Sequence, residues 1–147
     1  AGAPTRLIDM GVEPYLVAAS LEGVMAQRLV RVLCGECRAP DTAPATRAFK
    51  ERIGLEADHV VYRATGCGAC RQTGFFGRHA IFELMRLNEE IRERILTTRS
   101  VAAVREAARE AGMRSLAEDG WRLVTNGVTS VDEVLRVTRE EQRNGGF

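Results

Sequence analysis

All four cysteines of this 147-residue chain fall into two pairs with the same spacing. Two residues separate the cysteines of each pair, which allows one tight turn to direct both sulfurs at a single ion. Four thiolates are a ligand set that a tetrahedral structural zinc site takes. The sequence therefore predicts a metal centre, with zinc as the ion, whose ligands are Cys34, Cys37, Cys67 and Cys70.

Three other uses of paired cysteines remain open at this point. A redox dithiol needs only one such pair, at a helix N-terminus. An iron–sulfur cluster also takes four cysteines, often from closer spacing, and disulfides need an oxidising compartment. Because four thiolates leave no coordination position for water or substrate, we interpret the metal as structural rather than catalytic. The only histidines, His59 and His79, are interpreted as surface or core residues rather than as ligands.

The segment between the two cysteine pairs is long for a zinc ribbon. It holds 29 residues, against the ~15–20 that are common. It opens with a loop of prolines and small residues at positions 39–46, followed by a short helix over 47–53 that Gly54 ends. A short strand is predicted at 60–62. These features indicate an inserted lobe whose base the metal closes.

Apolar runs with β-branched residues flank this lobe on both sides. Residues 23–33 lead directly into Cys34 and favour a buried strand, although the pattern also allows a helix. Residues 78–87 are a second candidate for a buried strand. Before residue 20, Pro4 and Pro14 suit the first turns of two short helices.

The sequence after residue 87 predicts four short helices. Their candidate N-caps are Asn88, Ser100, Ser115 and Ser130. A glutamate lies three residues after each of the last two serines, which predicts capping boxes at these helix starts, the second of them between Ser130 and Glu133. Because the connections are short, we expect the four helices to pack as one helical subdomain.

Composition and charge narrow the possible functions. Hydrophobic residues make up 45% and charged residues 28%, which is typical of a globular protein rather than a disordered chain. The net charge is +1, and segment 33–78 with four thiolates and one divalent ion is close to neutral, which disfavours a nucleic-acid-binding zinc ribbon. With Lys50 as the only lysine, a P-loop is impossible, and we find no other catalytic motif. The chain is therefore expected to be an accessory or regulatory piece.

Several longer motifs resemble one protein family. They are Thr5–Tyr15, Met25–Arg31 ahead of Cys34, Gly74 and Gly77-Arg78 with Ile81 and Glu83, Gly112–Leu116 with Asp119-Gly120, and Thr129–Thr138. Together they resemble the C-terminal part of the type II/IV secretion ATPases. The similarity is greatest to the general secretion pathway protein E branch, with the type IV pilus assembly ATPases next, and it covers essentially the whole chain.

The resemblance implies a fold and a setting. The expected fold class is α/β, the C-terminal portion of a RecA-like ATPase domain with an inserted four-cysteine zinc lobe and an all-α C-terminal helical subdomain. Members of the family are cytoplasmic hexamers, peripherally associated with the inner membrane through platform proteins. They hydrolyse ATP to drive pseudopilus or pilus assembly. By the same resemblance the zinc ligands are Cys34, Cys37, Cys67 and Cys70.

The family's catalytic motifs precede the part that this chain resembles. ATP and magnesium are therefore expected only in the full-length parent, and no catalytic or cofactor-binding residue is carried over to this chain. Three arginines, Arg28, Arg31 and Arg78, either reach a nucleotide or neighbouring subunit in the hexamer or brace the strands through surface ion pairs. We expect this region to transmit motion to inner-membrane platform proteins rather than to perform chemistry, and we expect no nucleic-acid partner.

The resemblance also suggests domain boundaries. They are 1–33 for the end of the ATPase domain, 34–76 for the metal lobe, 77–87 for the returning strand, 88–143 for the helical subdomain and 144–147 for a frayed tail.

Overall fold

A computed structural model describes the backbone of residues 1–144 and the side chains up to Thr138. The helices are α1 Ala3–Asp9, α2 Pro14–Ser20, α3 Pro44–Ile53, α4 Glu89–Thr97, α5 Val101–Glu110, α6 Leu116–Thr125 and α7 Val131–Asn144. The strands are β1 Gly23–Leu33, β2 Ala39–Pro40, β3 Tyr62–Arg63 and β4 Phe75–Arg86. The tail predicted at 144–147 lies, beyond its first residue, outside the described residues.

The four strands form two separate two-stranded sheets. The long strands β1 and β4 pair with each other, and within the lobe β2 pairs with β3 in antiparallel register, Ala39 opposite Arg63. Both long strands were predicted, but their interpretation as buried strands was wrong. Only Val30 and Leu33 are buried on β1, and only Ile81 and Met85 on β4. In the described part of the chain this sheet has two strands, so much of each strand faces solvent.

The helix starts follow their capping residues. Asn88 Oδ1 accepts a hydrogen bond from the Ile91 N–H at 2.9 Å, at the start of α4. Ser100 Oγ accepts one from the Ala103 N–H at 3.3 Å, at the start of α5. Both predicted N-caps are therefore confirmed. Helix α3 begins at Pro44, three residues before the predicted start, because proline is tolerated in a first turn. It ends at Ile53, and the capping residue Gly54 has a φ of 70°, the left-handed conformation that glycine adopts readily.

The chain divides into two compact units, which we describe separately. The first comprises residues 1–26 and 82–115 and has a core of apolar side chains, including Val17, Met85, Ile91 and Val104. The second comprises residues 27–81 and the chain from Leu116 onward, and it contains all four cysteines. Helices α4 and α5 thus belong to the first unit, and α6 and α7 to the second. Among the described helices, none has the length and apolar character that crossing a membrane requires.

Candidate metal site

The four cysteine sulfurs lie close together. Sγ–Sγ distances are 3.9 Å between Cys34 and Cys67, 3.8 Å between Cys37 and Cys70, and 3.7 Å between Cys67 and Cys70. All four sulfurs lie within 4.8 Å of one another, and none forms a disulfide. Zinc–sulfur bonds of ≈ 2.3 Å in a tetrahedron place the sulfurs about 3.8 Å apart. The observed spacing matches that arrangement, so the site can hold one metal ion.

Two glycines allow the turns around the second cysteine pair. At Gly66, with φ of 120°, a Cβ would lie 2.8 Å from the backbone oxygen of Gln72, and at Gly74, with φ of 75°, it would lie 2.6 Å from Ala64 Cβ. Their N–H groups point at sulfurs, since Gly66 donates to Cys37 Sγ at 3.4 Å and Gly74 to Cys70 Sγ at 3.1 Å. Because any side chain there would collide with backbone or with Ala64, glycine is required at both positions.

The electrostatic environments of the four thiols differ. The backbone N–H of Glu36 lowers the pKa of Cys34, but burial and the neighbouring thiols outweigh it and raise that pKa to about 11. Burial raises the pKa of Cys70, but the N–H groups of Cys67 and Gly74 prevail and lower it to about 6. Thiolates at this spacing repel one another, so ionisation of all four requires a cation among them.

The metal lobe is fastened to the turn between α6 and α7 within the same unit. The Arg38 guanidinium lies 4.6 Å over the Tyr62 ring and donates to the Gly127 carbonyl at 2.8 Å. His59 Nε2 lies 3.0 Å from the Thr125 carbonyl, to which it donates. Because Arg38 directly follows a cysteine of the site, the geometry of the metal site and the position of this turn are linked.

Helix α3 of the lobe packs on α6 through aromatic contacts. The ring centroids of Phe49 and Trp121 are 4.8 Å apart at 53°, and the Arg52 guanidinium lies 5.4 Å over the Trp121 ring. Trp121 is the only tryptophan in the chain. Its fluorescence therefore reports directly whether the lobe helix is docked.

A buried carboxylate joins β1 to α7. Glu133, 1% exposed, accepts bonds from the Arg31 backbone N–H at 3.0 Å and from both the Arg31 and Arg136 guanidinium groups at 2.7–3.0 Å. Arg31 also lies 4.0 Å over the Phe75 ring. Burial raises the pKa of Glu133, but the bonds from Arg136 and then Arg31 dominate and lower it to about 2.

This cluster corrects one sequence prediction. Ser130 Oγ does accept a hydrogen bond from the Glu133 N–H at 3.3 Å, as a capping box requires. The Glu133 carboxylate, however, binds the two arginines rather than completing the box. A partner 102 residues away leaves no local signal, so the sequence did not reveal the cluster.

The other singled-out residues lie apart from the sulfurs. The metal-ligand cluster found among the described residues contains the four cysteines only, and His79 is exposed with Nδ1 2.8 Å from the Ala80 carbonyl. Arg31 pairs with Glu133 and so stabilises its strand, which is the second of the two roles expected for it. Arg28 and Arg78 are exposed on β1 and β4, and a role toward a nucleotide or neighbouring subunit stays a prediction for them.

The fold and the site together define a mixed helix-and-sheet protein with a four-cysteine site of the closed type. A family model described as "Type II/IV secretion system protein" matches residues 1–136. The chain therefore belongs to that family, which confirms the resemblance seen in its motifs.

Named relatives fall in both branches of the family. Type II secretion system protein HxcR of Pseudomonas aeruginosa is 47% identical over 94% of this chain and 26% of its own length. Type II secretion system ATPase E of Vibrio cholerae is 41% identical over 95% and 27%. Type IV pilus assembly ATPase PilB of Thermus thermophilus is 40% identical over 95% and 16%. The chain spans about a quarter of the length of the secretion relatives.

Proposed function

We propose that this chain is the zinc-binding and helical C-terminal part of a hexameric secretion ATPase that powers pseudopilus assembly and protein export by type II secretion. One combined observation carries the proposal: membership of the family over residues 1–136, together with four sulfurs at the spacing of a zinc tetrahedron. In this proposal β1 and β4 are the last strands of the RecA-like core, between which the lobe is inserted.

The zinc ion acts here as a cross-link. Its ligands are Cys34, Cys37, Cys67 and Cys70, and a shell of four thiolates supplies no open position for chemistry. Few apolar side chains are buried in the lobe, chiefly Phe49 and Val61, so hydrophobic burial alone stabilises it weakly. The ion compensates by holding both ends of the inserted segment together.

The lobe transmits motion in the full-length parent, where ATP and magnesium bind to other parts of the polypeptide. Rigid-body movement needs stiff parts. The contacts of Arg38 and His59 with the α6–α7 turn, and of Phe49 with Trp121, support a lobe that moves with these helices as one body. The receiving partners are inner-membrane platform proteins, and the parent is then a cytoplasmic protein peripherally associated with that membrane.

The test is binding of the zinc-loaded chain to purified cytoplasmic segments of type II secretion platform proteins. We expect measurable binding that weakens in Cys34→Ser, which lacks one ligand, and that is unchanged in Arg47→Ala, a substitution on the exposed part of α3. No binding by the chain, while the full-length parent binds normally, contradicts the transmitting role.

A second candidate is the corresponding part of a type IV pilus assembly ATPase, favoured by the 40% identity to a pilus ATPase. The same assay with the platform segments of a pilus system separates the two branches. Tighter binding to the pilus segments would assign the chain to that branch.

A further inference from the structure

Two of the four cysteines are partly exposed to solvent. Cys34 and Cys70 are 3% and 5% exposed, whereas Cys37 and Cys67 are only half-buried. The residue after Cys67 is the exposed Gly68, and a Cβ added there would meet no atom within 4 Å. Glycine therefore leaves open space beside the partly exposed Cys67.

The sulfurs of the two partly exposed cysteines differ in their hydrogen bonds. Cys70 Sγ accepts backbone N–H bonds from Cys67 at 3.2 Å and Gly74 at 3.1 Å, and Cys37 Sγ accepts one from Gly66 at 3.4 Å. Within residues 1–144, no backbone N–H bond to the Cys67 sulfur is found. With zinc bound both sulfurs are thiolates, and each N–H donor withdraws electron density from the sulfur that accepts it, so Cys67 is the more nucleophilic of these two.

We propose that the four-cysteine site is a redox switch in which a peroxide oxidises Cys67 first and Cys70 becomes its disulfide partner. The inference rests on the proposed function, since it requires that the site holds zinc. Cys70 is the chosen partner because it lies in the same two-residue turn as Cys67, with its sulfur 3.7 Å away.

The reaction balances with hydrogen peroxide as the only oxidant. The Cys67 thiolate attacks one peroxide oxygen, the O–O bond breaks, and a sulfenic acid and hydroxide form. The Cys70 thiolate then attacks the Cys67 sulfur, the S–S bond forms, and a second hydroxide leaves. The two thiolates lose two electrons, and the hydroxides take two protons to give two waters. With only Cys34 and Cys37 left as ligands, the ion dissociates.

Loss of the ion changes the rest of the lobe. The ion holds together both ends of the segment between Cys37 and Cys67, and this segment carries α3, which packs on Trp121 through Phe49. Oxidation therefore releases the docked helix from Trp121. A thiol reductant with added zinc restores the site, because the oxidation stops at a disulfide.

The experiment treats the zinc-loaded chain with hydrogen peroxide. It follows zinc release with a chromophoric chelator, Trp121 fluorescence in the same sample, and disulfide linkage by peptide mass spectrometry. We expect the first disulfide to join Cys67 to Cys70, zinc and fluorescence to change together, and reductant plus zinc to reverse both.

A matched pair of substitutions tests the route of attack. Gly68→Val adds an apolar side chain next to Cys67, and Gly35→Val places the same side chain in the equivalent turn of the first pair. At both positions an added Cβ meets nothing within 4 Å beyond its chain neighbours. We expect Gly68→Val alone to slow zinc release several-fold, with zinc content before oxidation unchanged in both. Equal slowing in both variants, a first disulfide between Cys34 and Cys37, or zinc retained in peroxide overturns the switch. Absence of zinc from untreated protein overturns the proposed function instead.

Discussion

The first compact unit and the metal lobe, which is part of the second unit, are stabilised by different means. The first buries a cluster of apolar side chains from five helices and strands, with Ile91 and Val104 each 1% exposed. In the metal lobe, residues 34–76, the buried apolar side chains apart from cysteines are only Phe49 and Val61. A segment with so little core cannot offset its conformational entropy by burial alone. Metal ligation and a few polar contacts take over that role, so the first unit and the lobe should respond to different perturbations.

Removing the metal is expected to have the largest effect. Chelation, or Cys70→Ser, should abolish protection from amide hydrogen exchange across 34–76, because structural zinc contributes on the order of 10 kcal/mol. The apolar core of the first unit should keep its protection. Equal loss of protection in residues 1–26 and 82–115 would show that one cooperative core spans both units.

The converse perturbation truncates the apolar core. Ile91→Ala should lower the free energy of unfolding of the first unit by about 2–5 kcal/mol, since the side chain is fully buried. Leu96→Ala, on the same helix but 52% exposed, should change it by about 0.5 kcal/mol or less. Urea unfolding measures both, and zinc content should stay the same. Loss of zinc in Ile91→Ala would contradict the claim that the apolar core and the metal lobe are stabilised independently.

The ion pairs of Glu133 with Arg31 and Arg136 should have the next largest effect on stability. Glu133→Ala removes the shared acceptor of two guanidinium groups and should cost about 1–3 kcal/mol. Both arginines are partly exposed and can rehydrate, which keeps the cost below that of a fully buried pair. Asp132→Ala, one residue earlier and exposed, is the control. A negligible effect of Glu133→Ala on urea unfolding would show that these ion pairs do not stabilise the protein.

The same carboxylate predicts a pH dependence. Its pKa is lowered from 4.5 to about 2 in the folded protein, so its stabilisation is complete above the unfolded value. The stabilisation is lost as the pH falls from about 4.5 toward 2, where the folded protein also takes up the proton. The difference in stability between the wild type and Glu133→Gln should shrink over that range. A constant difference would indicate that Glu133 is not ionised in the folded protein.

The smallest expected effect concerns the fastening of the lobe. Arg38→Ala loses a hydrogen bond and a cation–π contact and should cost about 1–2 kcal/mol. Faster amide exchange at Gly127 and Val128 would locate the change in the α6–α7 turn. Arg47→Ala, exposed on α3, should leave the exchange of that turn as it is in the wild type.

Local features of the fold were predictable from the sequence, and distant ones were not. The N-caps Asn88 and Ser100 depend on residues three positions away, and both predictions are confirmed. Glu133 is different, because its partner Arg31 is far along the chain and competes successfully with the local capping role. The burial of β1 was overestimated for a similar reason, since apolar composition does not reveal how many strands share a sheet.

The candidate site was predictable because spacing within each cysteine pair is a local property. That the two pairs meet was predicted from the ligand set, although 29 residues separate them, and only the structure gives the distances between their sulfurs. The sequence could not identify Gly66 and Gly74 as the residues whose backbone must approach closely. Their requirement arises from contacts with Gln72 and Ala64 in the folded turn.

Elemental analysis of natively purified protein, combined with thiol alkylation of the same sample, tests the central claim most directly. We expect about one zinc ion per chain, with the four sulfurs protected from alkylation until a chelator is added. Less than about half an equivalent of any transition metal, with all four sulfurs freely alkylated, would contradict it.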